Sequence, residues 1–231
     1  ITTFGVSDDR FPGGFRPVGG LGGYVPGNAG EVFPEDTGVF LPKDAIFNFQ
    51  MHYTTFGRAV TDSSRMGIYL HKEKPKYPLN SVTVLNPFIK IPPYTKEHWE
   101  TIETRPFERD AYIYTLLPHA HFRGKSANFI AKYPDGSEEI LLSVPNYDFN
   151  WQTTYRLAEP KFVPAGTTIV YNQSWDNSAQ NPANPDPSRE VPWGEQSFDE
   201  MLFGNIKYRW VDVRPDDTSS GIGGSQARVR Q

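Results

Sequence analysis

The sequence predicts an all-β protein, an antiparallel β-sandwich or jelly roll preceded by part of another β domain, and three observations carry that expectation. Aromatic residues make up 14% of the 231 residues, while 20 glycines and 21 prolines punctuate the chain, a mixture suited to many short strands joined by turns. Between those turn residues, apolar and polar side chains alternate with the period of a half-buried strand. About seven such runs fall within residues 76–212, at the spacing of a sandwich rather than a helical bundle.

Taken in order, residues 1–45 contain FPGGFRPVGGLGGYVPGNAG, which shows neither helical nor strand periodicity and reads as an irregular Gly/Pro-rich arm. From Ala45, AIFNFQMHYTTFG alternates like a strand, and RMGIYL after TDSS reads as its hairpin partner, so residues 46–75 are expected to close a first β domain. The charged, proline-containing KEKPKYPL is a linker near residues 72–80. Residues 76–212 then hold the sandwich, with strands in SVTVLNPFIKI, AYIYTLLPHAHF, SANFIAKY, EEILLSV, TYRLAEPKFVP, GTTIVYNQSW and MLFGNIKYRWV. YPDGS between the third and fourth of these marks a hairpin. NSAQNPANPDPSREVPWGEQ is a polar loop, and residues 213–231 read as an extended or disordered tail.

Charge and composition exclude several functions. The net charge of -4 is spread without a basic run, so neither nucleic acid nor an anionic membrane is an expected partner. No window approaches the ~18 apolar residues of a transmembrane segment. The N-terminal ITTFGVSDDR lacks the regions of a signal peptide, and the chain reads as mature, processed or incomplete. The absence of Cys removes thiolate chemistry, iron–sulfur clusters and disulfides, so a metal would have to use His, Met, Asp, Glu or Tyr.

LPHAHFRGK, residues 117–125, contains two of the five histidines, His119 and His121. On a strand, residues two apart face the same side roughly 6–7 Å apart, so both imidazoles can aim at one point. Such a pair also serves as an ordinary hydrogen-bonding feature of a strand. Further along come NYDFNWQ (146–152), SWDNSAQNPANPDP (174–187) and VPWGEQSFDEM ending at Met201. Together with PHAHFRGK, this ordered series resembles the C-terminal domain of the copper type II, ascorbate-dependent monooxygenases, the family of peptidylglycine α-hydroxylating and dopamine β-monooxygenases, and most of all its bacterial members. The resemblance spans residues from about 40 to 210.

It implies that His119, His121 and Met201 hold one copper, at which O2 is activated and a substrate C–H bond hydroxylated. Imidazoles suit both copper oxidation states and a thioether favours Cu(I), which agrees with that ligand set. The family stores an electron at a second copper, and QMHYTTFG (50–57) resembles a strand that supplies one of its ligands, making His52 the matching residue. An adjacent His-His pair that completes the second site in the family has no counterpart here. Other departures concern the substrate: Leu117 stands where peptide-hydroxylating members place an Arg, and Asn205 where they place a Tyr, which argues against peptidylglycine as substrate.

Several neighbours of these motifs carry weaker expectations. Arg123 and Lys125 read as solvated or salt-bridged surface groups, with anion binding as the functional alternative. Tyr147, Phe149 and Trp151 alternate along one face and are expected to pack. Asp199 and Glu200 are candidates to hold a ligand imidazole's free N–H. Asp176, Asn177 and Asn181 belong to a loop whose oxygens suit either turn formation or Ca2+. The expected partners are O2, a small organic substrate, and ascorbate or a redox protein as electron donor, with a protein partner or upstream domain supplying electrons or missing ligands. The resemblance implies a periplasmic or otherwise extracytoplasmic setting. A different reading makes the chain a copper-site sandwich that serves as a structural or docking subunit of a larger redox or membrane-associated assembly, and a third confines it to copper binding or electron transfer.

Overall fold

Strands and turns account for nearly all regular structure in the computed structural model, which describes residues 2–24, 30–215, 217 and 227–229. The first strands are β1 (Thr2–Ser7), β2 (Phe15–Gly22), β3 (Thr37–Gly38) and β4 (Ile46–Phe49), followed by β5 (Tyr77–Pro78), β6 (Asn80–Asn86), β7 (Lys90–Ile91) and β8 (His98–Thr104). Then come β9 (Ala111–His119), β10 (Gly124–Lys132), β11 (Glu138–Val144), β12 (Tyr155–Val163), β13 (Thr168–Trp175), β14 (Val191–Pro192), β15 (Leu202–Trp210) and β16 (Ala227–Val229).

Two antiparallel sheets form the sandwich, one in the order β11-β10-β13-β8-β16 and the other in the order β12-β9-β15-β6. Alternation explains which face each strand buries. Along β15, Leu202, Gly204, Ile206 and Tyr208 are buried, while Phe203, Asn205 and Lys207 on the opposite side are not. Buried Val84, Ile113, Leu116 and Ile206 from one sheet meet Ile102, Phe129, Ile169 and Trp175 from the other in a single apolar cluster. Burial of that cluster is the dominant driving force for the fold, at about 1.5–3 kcal/mol for each large side chain.

The N-terminal segment departs from expectation. It is irregular only in part, because β1 pairs antiparallel with β2 and with β4 in a three-stranded sheet, while residues 30–36 and 39–45 carry no strand. Its glycines do structural work that hides the strand period: a Cβ on Gly19 would lie 2.2 Å from the Phe4 ring, so only glycine lets that buried ring cover the strand. The next expectation also fails in part. The strand starting near Ala45 stops at Phe49, and residues 51–74 are exposed without strand structure, including RMGIYL. An alternating pattern forms a strand only where a ladder partner is present, and β4 finds one only in β1.

The linker expected near residues 72–80 ends earlier, because β5 pairs with β3 in parallel and Leu79 and Asn80 are already buried. Contacts from the N-terminal segment reach the outer face of the β9-containing sheet, where Glu31 pairs with Lys207 and the Val32 carbonyl accepts from Arg156. At the other end, Asp217 pairs with Arg109 at 2.6 Å, and β16 adds an edge strand to β8. The rest of the tail, residues 216, 218–226 and 230–231, lies outside the described residues.

Candidate functional site

β9 carries His119 to the end of the four-stranded sheet, where it stands directly across from Phe203 of β15. The ladder stops there, and His121 sits in the bend that follows rather than in the strand. The two imidazoles still converge, with ring centroids 5.2 Å apart and planes at 88°. Phe203 stands edge-on to His119 at 5.8 Å and Phe149 edge-on to His121 at 6.3 Å, so aromatic rings flank the pair on two sides.

Hydrogen bonds fix the tautomers. Gln152 donates from its NH2 group to the Phe149 carbonyl at 2.9 Å, which turns its Oε1 toward His119 Nδ1, 2.6 Å away. An oxygen there only accepts, so Nδ1 carries the proton and Nε2 the lone pair. His121 Nδ1 likewise donates, to the Asp199 carbonyl at 3.2 Å. Burial pushes His119 down to about 4, helped by the neighbouring His121 and opposed by the Gln152 bond. Burial also lowers His121, while the carbonyls of Asp199 and Gln196 pull the other way. Both rings are therefore neutral at pH 7, the form that binds metals.

The β15–β9 pairing ends at Phe203–His119, and Met201 stands two residues before Phe203 along the chain. Met201 is partly buried, and its carbonyl accepts from Gln173 at 3.3 Å. Among the described residues no three His, Asp or Glu side chains gather into a metal cage. His52 lies on the exposed segment after β4, and its charge counts among the weaker influences that lower both His119 and His121.

The neighbouring residues sort themselves differently from expectation. Arg123 is fully buried, not a surface group. Its guanidinium donates to Asn177 Oδ1 at 2.9 Å, the Phe198 carbonyl at 2.8 Å and the Asp186 carbonyl at 3.4 Å, and these polar partners are what make burial of the charge tolerable. Asn177 is accordingly occupied by the protein itself, and Asp176 caps the turn at Ser178. Lys125 remains at the surface, paired with Glu97 at 3.2 Å.

Tyr147, Phe149 and Trp151 do not share a strand face. They lie on a turn that wraps the histidine bend: the Tyr147 hydroxyl bonds the backbone N–H and carbonyl of Ala120, Phe149 packs on Phe122 at 4.8 Å, and Trp151 is exposed. Asp199 holds His121 through its main chain. The Glu200 carboxylate, completely buried, accepts the backbone N–H groups of His121 and Arg123 and the indole N–H of Trp175, not an imidazole.

Gln152 was not expected at the site. Its position three residues after Phe149, in NYDFNWQ, gives no sign of its partner, which depends on how the turn folds over β9. No protein-family model and no curated protein matches this chain.

Proposed function

We propose that this chain is a copper-dependent, monooxygenase-like protein in which His119, His121 and Met201 hold one copper. The single observation that supports this most is the orientation of the two imidazoles. Each commits Nδ1 to an oxygen acceptor, so Nε2 is the nitrogen left for a metal. Copper bound there would supply O2 activation for hydroxylation of a small organic substrate's C–H bond, with electrons from ascorbate or a redox protein. The chain's residues do the rest. Burial keeps His119 neutral, so coordination at pH 7 displaces no proton from it. Gln152 and the Asp199 carbonyl hold the ring orientations, while Phe149 and Phe203 limit water around the pair.

In the same reading His52 belongs to a second copper whose remaining ligands come from a protein partner or another domain, in a periplasmic or other extracytoplasmic setting. A second reading, a copper-site sandwich that docks in a larger assembly, draws support from the exposed segment 51–74. Tyr53, Phe56, Val60, Tyr69 and Leu70 are each more than half exposed there, a density of apolar surface that suits a covered face.

Copper content and reductant-dependent O2 uptake, measured on wild type and His119→Ala, test the proposal. About one copper per chain with O2 uptake, both lost in a variant of unchanged circular dichroism, is expected. Absence of copper binding by wild type overturns the copper reading. Copper binding without O2 uptake from any donor favours the docking subunit.

A further inference from the structure

We infer that Glu200 is the positioning residue that fixes the turn carrying His121 relative to the main chain at Met201, an inference that uses the copper reading for its readout and hydrogen bonds for its geometry. Because β9 leaves the sheet at His119, the backbone N–H groups of the following bend lose the partners a continuing strand would give them. The Glu200 carboxylate replaces those partners. Its Oε2 accepts from the His121 N–H at 2.8 Å and the Trp175 indole at 3.0 Å, and its Oε1 accepts from the Arg123 N–H at 2.6 Å. With β13 supplying Trp175, the carboxylate joins the histidine bend to the opposite sheet. Any shift of this buried group strands donors that water cannot reach.

Met201 is the next residue, and its own carbonyl is held by Gln173, also on β13. The main chain is thus tethered on both sides of the Met201 side chain. Just before it, the Asp199 carbonyl accepts from His121 Nδ1, and the buried Arg123 guanidinium holds the Phe198 carbonyl. One short stretch, 198–201, therefore orients an imidazole, straps the turn from His121 to Arg123 and ends at Met201. Glu200 links these features, since it is the only one of these residues whose side chain binds the bend itself.

Glu200→Gln tests this, because an amide accepts through one oxygen only and its NH2 group must face at least one of the strapped N–H groups. Competition titrations with Cu(I) and Cu(II) ions are run on wild type, Glu200→Gln, Met201→Leu and the double variant. Glu200→Gln is expected to weaken Cu(I) binding about tenfold or more and Cu(II) binding much less, because the thioether is the donor that favours Cu(I). The double variant is expected to lose no more Cu(I) affinity than Met201→Leu alone. Equal weakening of both ions, or full additivity with Met201→Leu, overturns the role.

Amide hydrogen exchange on the metal-free proteins gives a readout without copper. Faster exchange at His121 and Arg123, with β10 and β11 unchanged, is expected; unchanged exchange at both residues overturns the strap. Should Glu200→Gln fail to fold, Trp175→Phe removes one donor, and a smaller loss selective for Cu(I) is expected from it. Wild type that binds neither ion refutes the copper reading and leaves the exchange experiment to decide the strap.

Discussion

Oε1 of Gln152 lies 2.6 Å from Nδ1 of His119, and the amide cannot turn round because its NH2 group is held by the Phe149 carbonyl. A neutral side chain thus does what a carboxylate or main-chain carbonyl usually does for a metal-binding imidazole. Gln152→Ala is expected to leave the fold intact, to mix the His119 tautomers in the metal-free protein, and to weaken copper binding about 10–100-fold. Nitrogen chemical shifts of the ring and a copper titration check both effects.

Two buried groups give opposite pH dependence to the stability of the metal-free protein. His119 is lowered from 6.5 to about 4, so its contribution is fully present above pH 6.5 and is lost as pH falls through 4. Glu200 is raised by burial from 4.5 to about 7, so its contribution is fully present below pH 4.5 and is lost as pH rises through 7. Between 4.5 and 6.5 the two slopes oppose one another and stability should vary little. In Glu200→Gln the His119 slope is no longer opposed by Glu200, and the lowered His121 acts in the same direction, so stability should rise by on the order of 2–3 kcal/mol or more from pH 4 to 6.5, as read from urea unfolding at several pH values.

Arg123→Ala should cost about 3 kcal/mol or more, since it empties a buried site and leaves the Glu200 carboxylate without its nearby cation. Arg123→Lys is expected to recover little of that loss. A point ammonium lacks the fork that reaches Asn177, Phe198 and Asp186 together. Denaturant midpoints of the two variants check this.

Gly124→Ala should destabilise the protein by about 1–3 kcal/mol, because the added methyl would sit 2.6 Å from the Tyr147 ring and 2.7 Å from the Ala120 Cβ. The same displacement pulls the Tyr147 hydroxyl off the Ala120 backbone. Thermal unfolding measures the first effect, and faster amide exchange at Ala120 the second.

How much of this was legible in the sequence depended on whether a residue's role is local. SANFIAKYPDGSEEILLSV reads as a hairpin because alternation and an Asp-Gly turn are neighbours along the chain, and β10 and β11 pair there. HWETIET gives little strand signal because Glu100 and Glu103 interrupt its few apolar residues, yet it becomes β8, between β13 and β16, with Ile102 and Thr104 buried. The Gly-rich β2 was hidden by glycines that make room for Phe4. At the site, the His119–His121 spacing was visible because a strand repeats every two residues. Burial of Arg123, the strap of Glu200 and the approach of Gln152 were not, since each partner lies 33 to 79 positions away in the chain.

The end of the β9 ladder at His119 gives the two rings unequal mechanical footing. One is riveted to a sheet whose backbone resists displacement, whereas its neighbour rides on a curve secured by side chains and by two turn bonds, from the Gly124 N–H to the His121 carbonyl and from the Asp176 N–H to the Arg123 carbonyl. On the proposed copper reading, adjustment to an ion of different size or preferred shape falls to His121 and the segment strapped to it, with His119 serving as the fixed jaw of an asymmetric clamp.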